Sequence, residues 1–204
     1  MGWHYCLMIR MDDITQRKKE LRARAKQTRI EAFHKYGTAA GERLAELGVG
    51  FADPPEKASF TGFLAIGEEI DPMPLMRRLW QGGHAVGLPV MVGKARPLVF
   101  RQWWEGEPLT EVQWGIREPV ATAQVVVPDV VLVPLLAFDS RGYRLGYGGG
   151  FYDRSIAEIG QAKPVITIGL AYDELEVDAV PHDAYDQRLN WVLTPSGPRK
   201  CRLD

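Results

Sequence analysis

Residues 129–138 (DVVLVPLLAF) form the most apolar run of the chain and constrain its fold most strongly. A strand whose apolar residues follow one another without alternation has to be covered on both faces, as in the centre of a parallel sheet. Four glycines follow shortly afterwards, at 146, 148, 149 and 150, and a helix is predicted at 151–159. A strand, a glycine loop and a helix in this order predict an α/β domain with ligands at the carboxyl ends of its strands.

The remaining segments alternate between helical and extended patterns. Asp13 with Gln16 resembles a capping box, and Asp71 before Pro72 marks a second helix start. Helices are predicted at 13–33, 38–47 and 72–81, and strands at 59–66, 85–92, 98–104, 129–138, 165–171 and 189–194, with 105–119 irregular. The alternation predicts an α/β fold, a three-layer Rossmann-like sandwich with a mostly parallel central sheet.

Composition excludes several classes of protein. With 204 residues, 46% hydrophobic and 25% charged, the chain has enough apolar surface for one sizeable core and does not resemble a disordered protein. The net charge of -1 provides no overall field to attract nucleic acid or a membrane, so any anion site must be local. Cys6 and Cys201 form no disulfide framework or zinc site and indicate a reducing compartment. Neither a secretory signal nor a transmembrane span is predicted.

The glycine loop lies within residues 139–154 (DSRGYRLGYGGGFYDR). Glycines allow positive φ angles and let an anion approach backbone N–H groups at the start of a helix. The loop is neither a Walker A motif, since no Gly-Lys-Ser/Thr closes it, nor the dinucleotide fingerprint, since Phe151 replaces the third glycine. Arg144 and Arg154 flank it, and Asp153 is a candidate magnesium ligand. The alternative is a tight turn in which Asp153 only stabilises the helix dipole.

The first helix is strongly basic. Lys18 and Arg22 are four residues apart and share a helical face, so they repel each other unless an anion lies between them. They are therefore candidate phosphate ligands. The alternative interpretation is a solvated basic surface. The basic residues of this helix are Arg17, Lys18, Lys19, Arg22, Arg24, Lys26 and Arg29.

Two acidic segments complete the set of charged candidates. Glu68, Glu69 and Asp71 follow a predicted buried strand and could contact a ligand, although Asp71 is explained by capping alone and the glutamates by loop solubility. Asp183 and Asp186, before the last predicted strand, could complete a magnesium site with Asp153.

The tryptophans at 103, 104 and 114 could form the wall of a pocket for a planar heterocycle, or could be core residues. No nucleophile elbow, Ser-x-x-Lys motif or suggestive Cys/His pair is present in the sequence. Covalent catalysis therefore has no obvious candidate residue.

Several of these motifs together resemble the 5-formyltetrahydrofolate cyclo-ligase family, also called methenyltetrahydrofolate synthetase. LGYGGGFYDR after DVVLVPLLAFD is similar to the family signature. KKELR at 18–22, GEEID at 67–71, WGIREP at 114–119 and the segment VPHDAYDQRLNWVLTP resemble further family elements, in the expected order over about residues 14–195.

The resemblance implies an enzyme that uses ATP and Mg²⁺ to convert 5-formyltetrahydrofolate to 5,10-methenyltetrahydrofolate. It implies Arg144 and Asp153 as catalytic residues, Asp153 and Asp186 as metal ligands, and Leu64, Glu69, Trp114 and Tyr152 as folate contacts. The implied ATP contacts are Lys18, Arg22, Arg144, Gly146, Tyr147, Gly148, Gly149, Gly150, Phe151 and Tyr152. Some family members have lysine at the position of Gly149, which leaves more of the phosphate charge to Arg144. Asn190 replaces a second aspartate found in many members.

The resemblance also implies an organisation and a setting. Residues 14–195 are expected to form a single domain between an amino-terminal tail, 1–13, and a carboxy-terminal tail, 196–204. A cytoplasmic monomer or weak homo-oligomer is expected, with ATP and a reduced folate as partners and with no nucleic acid or membrane. The alternatives are a ligase or kinase of the same fold acting on another small acid, and a non-catalytic folate-binding paralogue.

Overall fold

The computed structural model describes residues 2–203, with the side chains of 13–113 and 115–203. The helices are α1 (Gly2–Tyr36), α2 (Ala39–Leu47), α3 (Met73–Gln81) and α4 (Phe151–Ala162). The strands are β1 (Phe60–Thr61), β2 (Val86–Met91), β3 (Leu98–Gln102), β4 (Leu109–Glu111), β5 (Arg117–Pro119), β6 (Val130–Pro134), β7 (Ala137–Phe138), β8 (Arg144–Leu145), β9 (Ile166–Leu170), β10 (Trp191–Thr194) and β11 (Gly197–Lys200).

Seven strands form the central sheet, in the order β11-β10-β9-β6-β1-β2-β3. The inner five, β10, β9, β6, β1 and β2, are parallel, whereas β3 and β11 are antiparallel edge strands. β6 lies between β1 and β9, and its residues 130–133 are completely buried. This confirms the fold class and the central position predicted from the apolar run.

The predicted strand 129–138 is interrupted, which has a consequence for the site. β6 ends at Pro134, and β7 then pairs with β8 in a separate antiparallel ladder. β8 ends at Leu145, immediately before the glycine loop. The short ladder therefore holds the start of the loop close to the carboxyl end of the central strand.

The strand order reverses between β1 and β6. From β1 the chain proceeds to β2 on one side, and later elements fill the other side through β6, β9 and β10. In doubly wound sheets, such a reversal opens a crevice at the carboxyl ends of the strands, where ligands bind. The residues after β1, β6 and β9 are therefore the expected location of a site.

The helices differ from the prediction mainly at the amino terminus. α1 begins at Gly2 and not at Asp13, so the predicted capping box is not formed. No proline interrupts residues 2–13, and Gln16 donates to Glu20 one turn later. No helix of the described residues has the length and apolar character needed to cross a membrane.

Two segments that were not predicted to be regular contain strands. β4 and β5 form a hairpin within 105–119, with a 3₁₀ turn at Gln113–Gly115. β11 lies within 196–204 and pairs with β10, so a domain boundary at 195 leaves one strand of the sheet outside. The division into a domain and two tails stays a prediction.

Replacing Leu132 tests the importance of the central strand. Leu132 is completely buried, so Leu132→Ala should lower the free energy of unfolding by about 2–5 kcal/mol through lost apolar contact and a residual cavity. Urea unfolding followed by circular dichroism measures the change. Val125→Ala is the control, because Val125 is 52% exposed and its truncation should change stability by no more than about 0.5 kcal/mol. Equal stability of the two variants would contradict the assigned core.

Candidate active site

One face of α1 carries three cations toward the carboxyl edge of the sheet. Lys18, Arg22 and Arg29 are four and seven residues apart, which places them on one side of a helix with 3.6 residues per turn. Leu21 and Ala25 lie along the same side and are buried. Together, the three cations contact all of the charged and glycine-rich segments that the sequence marks as functional.

Lys18 contacts the acidic segment. Its Nζ lies 2.9 Å from Asp183 Oδ2 and 2.6 Å from Asp186 Oδ2, and Asp186 Oδ2 also accepts the backbone N–H of Asp183 at 2.7 Å. Burial lowers the pKa of Lys18, but the hydrogen bonds and charges of the two carboxylates outweigh burial and raise it above its ordinary value. Lys18 is therefore held as an ammonium cation.

Arg22 contacts the glycine loop. Its Nε donates to the carbonyl oxygen of Gly146 at 2.9 Å, and a Cβ at Gly148 would lie 3.4 Å from its guanidinium carbon. Gly148 and Gly150 have φ angles of 104° and 64°, which other residues rarely adopt. The glycines thus permit the loop conformation, while Arg22 packs against Gly148.

The loop leaves a series of backbone donors without partners. Among the backbone and side-chain groups that the structure describes, none accepts a hydrogen bond from the N–H groups of 146–150. They precede the first turn of α4, and Gly150 is the N-cap residue of this helix. Free N–H groups beside the positive end of a helix dipole form an anion-binding arrangement.

Arg144 and Asp153 form an ion pair beneath this loop. Arg144 is 7% exposed, and its guanidinium lies 2.7 Å from Asp153 Oδ1 and also donates to the carbonyl of Gln187. The same Oδ1 accepts the backbone N–H of Gln187 at 3.0 Å. The pair therefore joins β8, α4 and the chain just after Asp186.

The arrangement of Asp153 suits a metal ligand with one free oxygen. Its Oδ2 accepts no hydrogen bond from any described residue, and its side chain is 25% exposed. The described residues contain no group of three or more His, Cys, Asp or Glu side chains arranged around one metal position. Magnesium is commonly held by only one or two carboxylates together with phosphate oxygens and water, so Asp153 and Asp186 fit such an ion without forming a complete cage.

Glu69 lies in the loop after β1 and is only 6% exposed. Its Oε1 accepts the Tyr147 hydroxyl at 2.6 Å, and its Oε2 accepts the backbone N–H of Ile66 at 2.9 Å. Burial raises the pKa of Glu69, although the Tyr147 and Ile66 hydrogen bonds and the charge of Arg29 oppose the shift. A carboxylate with both oxygens oriented by the protein is therefore present at the carboxyl end of β1.

Arg29 is a site residue that the sequence did not single out. It contacts Glu69 at 3.8 Å and Glu68 at 3.7 Å, and it also donates to the Tyr147 hydroxyl. Its spacing could have identified it as a site residue, because Arg29 lies seven residues from Arg22 on the helical face predicted to carry phosphate ligands. That Arg29 is buried and pairs with an acidic loop depends on how α1 packs in the folded chain, so the sequence alone does not show it.

Two buried polar atoms at this edge have no partner among the described residues. They are the Tyr152 hydroxyl and Arg29 Nε. Burial, together with the charge of Glu69, raises the pKa of Tyr152, so this hydroxyl stays protonated. Arg29 and Glu69 also line a cavity of about 10 Å³, which is room for about one water molecule. Unpaired polar groups are costly unless a ligand or water completes them.

Leu64 and Trp114 are the other predicted folate contacts, and Trp103 was a candidate for the wall of a pocket. Leu64 is half-buried and packs against the main core. The side chain of Trp114 lies outside the described residues. Trp103 is buried against Trp80, with ring centroids 5.7 Å apart, so it is a core residue and not a pocket wall.

The structure defines an α/β protein with a mostly parallel sheet. A glycine loop and several cations lie near the switch point of this sheet, in an arrangement typical of an anion site. The chain belongs to the 5-formyltetrahydrofolate cyclo-ligase family, whose model matches residues 14–195. This membership confirms the resemblance found in the sequence motifs.

Individual relatives agree with the family assignment. The chain is 29% identical over 184 residues to the 5-formyltetrahydrofolate cyclo-ligase of Haemophilus influenzae. This alignment covers 88% of this chain and 98% of the relative. It is 37% identical over 139 residues to the cyclo-ligase of Escherichia coli K12, covering 66% and 76% of the two chains. The solution structure of the 5,10-methenyltetrahydrofolate synthetase of Aquifex aeolicus superimposes with a TM-score of 0.72 and 26% identity, covering 91% and 93%.

The raised pKa of Glu69 predicts a pH dependence of stability. A carboxyl whose pKa is higher in the folded chain binds more protons there than when unfolded, so its contribution to stability falls as the pH rises above its ordinary value of 4.5. Glu69→Gln should remove this decline, so that the variant loses less stability than wild type as the pH rises above about 4.5.

Urea unfolding at several pH values measures the difference between the two proteins. Glu68→Gln is the control for net charge, because it removes a neighbouring, more exposed carboxylate from the same loop. Parallel curves for wild type and Glu69→Gln would contradict the assigned burial of this carboxylate.

Proposed function

We propose that this chain converts 5-formyltetrahydrofolate to 5,10-methenyltetrahydrofolate with hydrolysis of ATP to ADP and phosphate, in a magnesium-dependent reaction. Family membership supports the reaction class. The observation that carries the proposal is the set of unpaired N–H groups at 146–150 close to cations and to the oriented carboxylate of Glu69. The N–H groups and the cations suit a polyphosphate, and the Glu69 carboxylate suits a pterin.

The phosphates of ATP would bind at the glycine loop. Residues 146–150 supply N–H donors, Phe151 and Tyr152 begin the helix behind them, and Lys18, Arg22 and Arg144 supply positive charge. Arginine is suited to this role because its planar guanidinium can donate to two phosphate oxygens at once. Lys18 would exchange its present carboxylate partners for phosphate oxygens.

Magnesium would be held by Asp153 and Asp186. The free Oδ2 of Asp153 is the donor that supports this assignment, and Asp186 is connected to Asp153 through the adjacent backbone of Gln187. Bound magnesium neutralises charge on phosphate oxygens during phosphoryl transfer. Asp183 would remain a partner for Lys18 or for water.

The folate would bind beside Glu69. Each carboxylate oxygen has two lone pairs, so Glu69 can still accept pterin N–H groups after binding Tyr147 and Ile66. The unpaired hydroxyl of Tyr152 offers a further polar contact. Leu64 and Trp114 complete the folate contacts as the family resemblance implies.

The proposed chemistry requires positioning more than a protein nucleophile. The formyl oxygen attacks the γ-phosphorus and ADP leaves. N10 then closes on the activated formyl carbon and loses its proton, and phosphate departs with the original formyl oxygen. Oriented N–H groups and guanidinium cations stabilise the charge that develops on the transferred phosphoryl group.

A cytoplasmic setting is part of the proposal, with a monomer or weak homo-oligomer acting on small molecules alone. Cys201 is a free, buried thiol. Burial raises its pKa to about 11, so it stays protonated and unreactive at neutral pH. A thiol of this kind is compatible with a reducing compartment.

The activity is tested by incubating the purified protein with 5-formyltetrahydrofolate and following the ultraviolet absorbance of the methenyl product. Product should form only with both ATP and magnesium present, with one ADP released per turnover. Absence of ATP-dependent product would contradict the proposed function.

Asp153→Asn tests the role of the carboxylate. It should lower kcat by about 100-fold or more, because it removes a metal ligand and the anion that orients Arg144. Asp178→Asn is the matched control, since Asp178 is exposed and lies outside the proposed site. Circular dichroism checks that both variants fold. Near wild-type turnover in Asp153→Asn would exclude Asp153 from the metal site.

A further inference from the structure

Tyr147 belongs to two parts of the site at once. Its backbone lies in the glycine loop between Gly146, which accepts from Arg22, and Gly148, which has a positive φ. Its hydroxyl leaves the loop and donates to Glu69 Oε1 at 2.6 Å. Among the described residues, this is the only hydrogen bond between residues 146–150 and the loop that carries Glu69.

The hydroxyl is held firmly although Tyr147 as a whole is 50% exposed. Arg29 donates to the hydroxyl oxygen, and its guanidinium carbon lies 5.6 Å from the centre of the ring. The hydroxyl oxygen thus accepts from a cation, and its O–H donates to an anion, which fixes the direction of the proton. Burial and the charge of Glu69 raise the pKa of Tyr147 to about 12, so it remains a donor at neutral pH.

This geometry ties the orientation of Glu69 to the conformation of the phosphate loop. The remaining fixed contact of the carboxylate is the Ile66 N–H on its other oxygen, since Arg29 stands 3.8 Å away. Any ligand that orders residues 146–150 also orders the Tyr147 hydroxyl. That hydroxyl in turn fixes which lone pairs of Glu69 are left for a second ligand.

We propose that Tyr147 is a positioning residue that couples the two substrate sites, so that nucleotide in the glycine loop orients Glu69 for the pterin. The inference rests on the proposed function, because it takes ATP and a reduced folate as the two ligands. Coupling of this kind is reciprocal: each ligand tightens the binding of the other by the same factor.

The experiment measures the Kd of 5-formyltetrahydrofolate by calorimetry, with and without a saturating non-hydrolysable ATP analogue and magnesium. In wild type the analogue should tighten folate binding by about fivefold or more, a typical size for coupling between sites. In Tyr147→Phe, which keeps the ring but loses the hydroxyl, the factor should fall to about one. Tyr143→Phe is the matched control, because it removes the hydroxyl of another tyrosine, whose ring stacks on His182. This variant should keep the wild-type factor.

A double-mutant cycle separates positioning from a general structural effect. If Tyr147 acts through Glu69, Tyr147→Phe should have no further effect on folate affinity in a Glu69→Gln background. Additive effects, or a coupling factor unchanged in Tyr147→Phe, would overturn the inference. A wild-type factor near one, with both ligands binding, would overturn it as well. Failure of wild type to bind either ligand would instead contradict the proposed function.

Discussion

The inner face of α1 is the element on which the rest of the site depends. Lys18, Arg22 and Arg29 are held at fixed separations by one helix, and they contact the acidic segment, the glycine loop and the Glu69 loop respectively. Those three segments are far apart in sequence and follow different strands: β1 and β9 of the central sheet and β8 of the short ladder. The buried residues between the cations, Leu21 and Ala25, dock the helix. One rigid helix therefore sets the distances among all three parts.

Three cations of the site are paired with carboxylates before any ligand binds. Arg144 is paired with Asp153, Lys18 with Asp186, and Arg29 with Glu69. Removing charges from water is costly unless each one is paired. A polyphosphate with magnesium brings both signs, so it can exchange partners with these pairs without leaving a buried charge uncompensated.

The sequence predicted the parts that depend on local pattern. The first part of the apolar run, 130–134, was correctly assigned to a buried central strand, and the conformations of Gly148 and Gly150 agree with the expected glycine loop. Residues whose role depends on tertiary contact were not identified. Arg29 looked like one of several basic residues, and β11 looked like a tail because its strand character comes from pairing with β10. The predicted start of α1 at Asp13 was wrong. The residues there resemble a capping pattern, but the helix begins at Gly2 and continues through Asp13.

The most direct test is a crystal structure with a non-hydrolysable ATP analogue, magnesium and 5-formyltetrahydrofolate. We expect the terminal phosphates on the N–H groups of 146–150, within hydrogen-bonding distance of Lys18, Arg22 and Arg144, and the pterin ring against Glu69. The formyl oxygen should then face the γ-phosphorus. A nucleotide bound away from the inner face of α1, or a pterin that does not contact Glu69, would contradict this account.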